Sequence, residues 1–354
     1  MKKIGITTTL YGNNYGEALQ AYAMRKAINM CAIDCQAELI KFVCKRQTIN
    51  KPGYNEFYEA NKLKNQLFDA FRKNEIGIEG DPINKITLEN TPVFDKYVFG
   101  SDQIWNTNSW EIPEFFGSFV PDGRPKIAYA ASVGIKPECG LLKLELFDRY
   151  IKTFDYLSVR EKVHCGFISN FTNKQVYHVV DPTLLLEVDN YIALTENVNP
   201  PKPNNGYIFY YQPNSADGAI VSLVNKIARR YKKDVVHTFA DVPEPIFPSE
   251  SISTAFLGPC EFLAYIRDAD LIITRSYHGT IFSILFQKPF YVYVDKKTGS
   301  RVESLLGILG LEDRLIYEYK KPEDVSFAID FSEANRKLEK LIKSSFDFLI
   351  AAIN

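Results

Sequence analysis

The chain has 354 residues, 46% hydrophobic and 24% charged, with a formal net charge of −1. At roughly 150 residues per domain, that length predicts two domains, each able to bury a core. The near-neutral balance excludes a global field that would draw the chain onto nucleic acid, so an anionic ligand has to be held by local arginines and lysines.

The opening "KKIGITTTL" reads as a strand, β-branched and ended by "YGNNYG". "EALQAYAMRKAINM" follows as a helix, with Leu19, Tyr22, Ala23, Ala27 and Ile28 on one face. This is a Rossmann-like start whose loop lacks the dinucleotide fingerprint. Residues 45–90 are polar and dotted with aromatics, and are read as helical or irregular. "KYVFGSDQIWN" and "KIAYAASVG" are strands, and "FDYLSVREKVHCGFISN" is a strand with a helix starting near Arg160. "QVYHVVDPTLLL" is a strand with a sharp end at Asp181-Pro182.

The composition then shifts. "TENVNPPKPNNG", rich in proline and asparagine, reads as a linker. A second α/β unit follows, in which "YIFYYQ", "DVVHTF", "DLIIT" and "PFYVYV" are strands and "GAIVSLVNKIARRYKK", "CEFLAYIRDA" and "TIFSILFQ" are helices. "EANRKLEKLIKSSFDFLIAAIN" closes the chain as an amphipathic helix. The predicted architecture is α/β. A domain over 1–190 faces another over 200–325 across a cleft, and helix 330–354 packs back on the first.

Only Cys31 and Cys35, of six cysteines, approach metal-ligand spacing, and no second pair lies near. They are read as scattered thiols, and no metal is expected. The start carries too short an apolar run for a signal peptide, and no stretch nears about 18 apolar residues. The expectation is a cytoplasmic protein.

The stretch "TRSYHGT" is the first candidate site. An apolar strand, a polar elbow and an apolar helix deliver side chains to the carboxyl edge of a sheet. Arg275 supplies a cationic fork, Ser276 and Thr280 supply hydroxyls, and His278 stands just before Gly279 at a helix start, where anions are favoured. A capped helix with a satisfied histidine accounts for the same residues less fully. "SVREK" puts Arg160 at another strand end, where it either grips an anion with Arg275 or pairs with Glu161. In "GSDQIWN", Gly100 permits a tight turn, and Ser101, Asp102 and Gln103 beside Trp105 suit a sugar ring; a capped helix over a buried tryptophan is the bland alternative. "NNYG", with Asn14, Tyr15 and Gly16, is a backbone nest for an anion or hydroxyl, or a structural turn. Arg301, with Lys296 and Lys297, adds a phosphate contact or a solvated loop. His164, His178 and His237 are read as packing or surface residues.

"NYGEALQAYA", "FGSDQIWN", "SVREK", "DPTLLL" and "TRSYHGTIFSILFQKPF", in this order over about residues 5 to 315, resemble the polysaccharide pyruvyl transferases. The resemblance implies a GT-B-like fold. It implies transfer of the pyruvyl group of phosphoenolpyruvate (PEP) to two hydroxyls of a sugar, giving a ketal and phosphate, with no metal or cofactor. On this resemblance His278 is the acid and Asp102 the base. Arg160, Arg275, Ser276, Gly279, Thr280 and Arg301 hold PEP. Asn14, Tyr15, Gly16, Ser101, Gln103 and Trp105 hold the acceptor. Members often carry Asp where Arg275 stands, or an arginine two residues before the histidine rather than three. The expected acceptor is a hexose in a surface polysaccharide or a lipid-linked precursor, and a lipid-linked acceptor implies a place at the inner face of a membrane. Two rivals remain open: a GT-B glycosyltransferase using a nucleotide sugar, and a silent glycan-binding module. The first is weakened because "TIFSILFQKP" lacks the carboxylate such enzymes use for the ribose.

Overall fold

The computed structural model describes residues 1–354 except 32–33, 43–57, 81, 84–85, 87–89, 91–92, 110, 141, 214–216, 240–251, 254–256, 295–298 and 318–319. Two parallel sheets organise the chain. The first contains β1 (Lys2–Thr7), β2 (Cys35–Leu39), β3 (Lys96–Phe99), β4 (Lys126–Ala131), β5 (Tyr156–Val159) and β6 (Val176–His178), in the order β2-β1-β3-β4-β5-β6. The second contains β7 (Tyr207–Gln212), β8 (Asp234–Phe239), β9 (Ile252–Ser253), β10 (Leu271–Thr274), β11 (Phe290–Tyr293) and β12 (Leu315–Ile316), in the order β12-β11-β10-β7-β8-β9. Every strand pair is parallel.

Parallel strands buried on both faces need continuous apolar runs, and the sequence supplies them. All six residues of β7 and all four of β10 are buried. Between strands lie the helices α1 (Tyr15–Cys31), α2 (Tyr58–Phe71), α3 (Glu145–Tyr150), α4 (His164–Ser169) and α5 (Val188–Leu194). The second unit carries α6 (Gly218–Tyr231), α7 (Pro259–Asp268), α8 (Tyr277–Leu285) and α9 (Ser300–Leu309), and α10 (Ser332–Ile353) follows. The strands β2, β9 and β12 and the helices α3, α5 and α9 were not singled out by the sequence patterns.

The two sheets meet at their switch points. Strand order reverses between β1 and β3 in the first sheet and between β7 and β10 in the second, and ligands of doubly wound sheets bind outside the carboxyl ends at such points. Helix α1 lies at this junction. Its residues Tyr15 to Met24 are all buried, more than one amphipathic face can account for, because α1 packs on its own sheet and also against α7 and α8 of the second unit. One apolar cluster therefore runs through both units, from Ile4 and Leu19 to Phe209 and Phe282.

The last helix, α10, packs on α1 and α9. It ties itself to the first sheet through Ser345 Oγ, which accepts from the Val180 amide (3.0 Å), and through the Ala352 carbonyl, which accepts from Lys96 Nζ (3.2 Å). Residues between α5 and β7 form the connection, in turn and coil.

One expected element differs. The helix read from Arg160 begins at His164, and residues 160–163 form a bend and turn. The Arg160 and Glu161 side chains are drawn into a buried polar cluster, which holds this turn open. No helix among the described residues is long and apolar enough to cross a membrane.

Candidate functional site: a buried carboxylate where the domains meet

The centre of the site is Asp181, fully buried just after β6. Its Oδ1 caps the following turn, accepting from the Thr183 amide (3.0 Å) and hydroxyl (2.7 Å). Its Oδ2 accepts from Arg160 Nη1 (2.7 Å) and Ser101 Oγ (3.0 Å), and His278 Nε2 lies 3.5 Å away. Four separate segments thus converge on one carboxyl group. Burial works against its charge, but His278, Arg160 and Thr183 outweigh burial and hold the carboxyl well below the usual carboxylate range.

The first domain delivers Arg160 at the end of β5. Its side chain is buried, with Nε donating to Glu161 Oε1 (3.1 Å) and Nη2 standing 3.9 Å from Asp102 Oδ1. Burial works against its charge, and Glu161, Tyr277, Asp181 and Asp102 more than offset this, so its pKa lies above the ordinary guanidinium value. Glu161 is fixed in turn by Ser132 Oγ (2.8 Å) and by His164 Nδ1 (2.9 Å), whose Nε2 faces the Ile135 carbonyl (3.0 Å). Against the effect of burial, Arg160, His164 and Ser132 pull the Glu161 carboxyl down to about 2.

The turn after β3 brings Ser101 and Asp102. Gly100 adopts φ 123°, and a side chain there would meet the Tyr129 carbonyl at 2.1 Å, so glycine is required. Asp102 itself sits at φ 59°, a left-handed conformation that costs about 1 kcal/mol or more outside glycine. The surrounding bonds hold it there: its carbonyl accepts from the Ser132 amide (2.9 Å), and its Oδ2 from Thr9 Oγ1 (2.9 Å). The bulge in β4, where the register with β5 shifts between Ala128 and Ala131, makes room for this turn. The Ala130 carbonyl accepts from Ser101 Oγ (3.2 Å).

The second domain delivers the elbow. Ser276 is the N-cap of α8, its Oγ accepting from the Gly279 amide (3.2 Å). The Tyr277 and His278 amides come first in the helix and have no intrahelical acceptor. The Tyr277 ring lies 4.3 Å under the Arg160 guanidinium, a stack that crosses between domains. His278 is 6% exposed and rests on the first turn of α1. A side chain at Gly16 would lie 2.0 Å from His278 Nδ1. Asn14 caps α1, with Oδ1 accepting from the Gly16 amide (3.0 Å).

Arg301, on the first turn of α9, completes the set. Burial and the neighbouring Arg160 charge depress its pKa, against Glu161, Asp102 and Tyr277, which places it among these groups. Close by, Lys136 Nζ of the first domain pairs with Glu303 Oε2 of α9 at 3.4 Å.

The structure therefore gathers His278, Asp102, Arg160, Arg301, Asn14, Gly16 and Ser101 in one place. The structure sets the other expected residues in different surroundings. Trp105 is fully buried, stacked on Phe116, with Nε1 donating to the Phe115 carbonyl (3.3 Å), so it has no free face for a sugar. Tyr15 stacks on Phe262 (4.4 Å, 3°) inside the joint core. Ser101 is sealed beneath Asp181 and contacts no solvent. The Thr280 hydroxyl donates to the Ser276 carbonyl (2.9 Å) within α8, and Gly279 packs against Thr274 Oγ1. Arg275 turns toward Asp217 (3.8 Å) and the Tyr293 ring (5.5 Å). Gln103 Oε1 accepts from Asn106 Nδ2 (3.0 Å). Lys296 and Lys297 lie outside the described residues.

Asp181, Glu161 and Tyr277 were missed as site residues. Asp181 carried a signal in the "DPT" turn at a strand end, and Tyr277 stood inside the elbow motif. The described residues contain no cluster of His, Cys, Asp and Glu that could hold a metal.

The family model for polysaccharide pyruvyl transferase matches residues 14–295, which include every cluster residue except Arg301. The chain belongs to the polysaccharide pyruvyl transferase family. Membership supports polysaccharide pyruvylation in general as its activity and makes it a transferase. No curated protein matches the chain. Similar solved structures include the UDP-N-acetylglucosamine 2-epimerase of Rickettsia bellii, with TM-score 0.55 and 11% identity, covering 98% of each chain. The Methanocaldococcus jannaschii UDP-GlcNAc 2-epimerase bound to UDP-GlcNAc and UDP has TM-score 0.52 and 12% identity, covering 96% of this chain and 99% of that one. The S. aureus MnaA–UDP structure has TM-score 0.53 and 13% identity, covering 96% and 90%. At such identities the likeness is one of fold: two parallel-sheet α/β domains in the GT-B arrangement.

Proposed function

We propose that the chain transfers the pyruvyl group of PEP to two hydroxyls of a hexose, in a surface polysaccharide or its lipid-linked precursor, forming a ketal and releasing phosphate. The observation that carries this reading is a pair of arginines from opposite domains. Arg160 Nη2 and Arg301 Nε are both buried, and neither has a hydrogen-bond acceptor among the described residues. Buried guanidinium donors without acceptors are costly and call for an explanation. A small polyanion carrying a phosphate and a carboxylate supplies acceptors for both.

In the proposed course, His278 delivers a proton to the PEP methylene carbon and the positive charge develops at C2. A sugar hydroxyl adds to C2 and yields its proton to Asp102. Phosphate departs with the C–O electron pair, stabilised by Arg301, Arg160 and the first amides of α8. The second hydroxyl then closes the ketal at the same carbon and gives its proton to the neutral His278 imidazole, which restores the acid, while the proton on Asp102 leaves with the phosphate. PEP is the only donor in this scheme, which calls for no cofactor. A lipid-linked acceptor would bring the protein to the cytoplasmic face of a membrane.

The test is PEP-dependent phosphate release with a panel of hexosides, together with detection of the ketal by mass spectrometry. The reading expects both products and their loss in His278→Ala. Sugar transfer from a UDP-sugar, with PEP inert, would establish the glycosyltransferase alternative; PEP binding without release would establish a silent homologue.

A further inference from the structure

We infer that His164 is a positioning residue for Arg160: it stands as a buried imidazolium, holds one oxygen of Glu161, and so leaves Arg160 Nη2 as a donor for the substrate anion. The inference rests on the proposed role of Arg160 in holding PEP, and adds what aims its guanidinium.

The hydrogen count comes first. The His164 ring is fully buried, with Nδ1 2.9 Å from Glu161 Oε2 and Nε2 3.0 Å from the Ile135 carbonyl. A backbone carbonyl only accepts, and so does an ionised carboxylate, so both ring nitrogens must carry hydrogen to make the two bonds. A neutral ring has a single N–H and would leave a lone pair facing an oxygen. A proton on Glu161 Oε2, accepted by Nδ1, would meet the same count. Two donors into Oε1 argue against that: Ser132 Oγ (2.8 Å) and Arg160 Nε (3.1 Å) favour the ionised form. Against burial, the neighbours of Glu161 bring its carboxyl down to about 2. The proton therefore sits on the ring, and two cations, Arg160 and His164, flank one anion.

The shape of the guanidinium gives this arrangement its use. Its Nε–H and one N–H of Nη2 run parallel along one edge, which a carboxylate grips with both oxygens. Glu161 faces this edge but accepts there only through Oε1, from Nε. Its Oε2 is turned to His164, so the two-point fork is not made. Nη1 is taken by Asp181 (2.7 Å). Nη2 is left buried, 3.9 Å from Asp102 Oδ1 and without a hydrogen-bond acceptor among the described residues. Without a donor on Oε2, Glu161 is free to close the fork and consume Nη2. The ring is sealed from solvent, so it acts on the substrate only through Glu161 and Arg160.

Two variants test the aim of the arginine. His164→Asn keeps an amide N–H at the place of Nδ1 and still holds Oε2. His164→Gln moves that N–H to the place of Nε2 and leaves Oε2 unheld. In calorimetric titrations with PEP, the Asn variant is expected to bind within about 3-fold of the parent and the Gln variant about 10-fold more weakly. Equal affinities in the two folded variants would overturn the positioning role, because a packing role does not distinguish them. Nitrogen-15 NMR of the intact protein at pH 7 tests the hydrogen count, with the ring of residue 164 assigned by replacing the other three of the four histidines in turn. Both nitrogens are expected to be protonated, and one bare nitrogen would overturn the inference whether or not the variants fold. If the parent binds no PEP, the proposed function falls. The variants are then compared with inorganic phosphate as the probe, and the ring spectrum decides as before.

Discussion

The Arg160 guanidinium lies 4.3 Å over the ring of Tyr277, one residue from each domain, both buried. A desolvated cation–π contact of this kind contributes about 2 kcal/mol, and here it also sets where the arginine points. Tyr277→Phe keeps the face and is expected to melt within about 0.5 kcal/mol of the parent. Tyr277→Leu keeps most of the volume, loses the face, and is expected to cost about 1–2 kcal/mol by calorimetry. Equal stability of the two variants would remove the stack as a domain-joining contact.

Arg301 differs from Arg160 in having no carboxylate hydrogen bonded to it among the described residues. Arg301→Ala is expected to raise the KM for PEP about 10- to 100-fold, the loss of one or two charge-assisted hydrogen bonds, with little change in melting temperature. Steady-state phosphate release checks it. Arg160→Ala should behave differently, because it leaves Asp181 and Glu161 buried without their cation, at a cost of about 3–5 kcal/mol in folding.

The buried pair of carboxyls makes the fold sensitive to acid. Glu161 is pulled down to about 2 from an ordinary value of 4.5. A depressed carboxyl contributes stability that is complete above its unfolded value and is lost as pH falls through its folded one. The loss therefore falls between roughly pH 4.5 and 2 and amounts to about 3 kcal/mol. Glu161→Gln is expected to be less stable than the parent at pH 7, with a flatter denaturation midpoint against pH below 5 in urea titrations.

Trp105 separates packing from recognition. Trp105→Ala is expected to cost about 3–5 kcal/mol, because the indole fills the space between Phe116, Phe147 and Phe154. Trp105→Phe should retain the KM for the acceptor. A raised acceptor KM in a well-folded Trp105→Phe protein would restore the sugar-stacking role that burial argues against.

The sequence discloses the layered plan because its strands are continuous apolar runs and its helices are periodic. It discloses the elbow because Ser276, Tyr277 and His278 are contiguous. The core of the site was hidden for a geometric reason: Ser101, Arg160, Asp181 and His278 come from four segments, and nothing local marks Asp181 as their meeting point. Trp105 reads as available in sequence because Asp102 and Gln103 make its neighbourhood polar, and a polar neighbourhood in sequence is a different thing from an exposed position in space. The strand β9 pairs over only two residues, too few to produce a periodic signal. In sequence the turn at Arg160 reads as a helix start, because its side chains look like a solvated first turn, whereas in the fold Asp181, Asp102 and Tyr277 surround them.

Helix α10 has a consequence for how the molecule is made. It is synthesised after the whole second domain, yet Phe348 packs on Tyr129 and Ser345 bonds the Val180 amide, both in the first domain. On the ribosome the first domain must wait, with that flank uncovered, until α10 has emerged behind the second domain. The two halves of this protein therefore mature together, and a ribosome stalled within the second domain leaves an aggregation-prone first half.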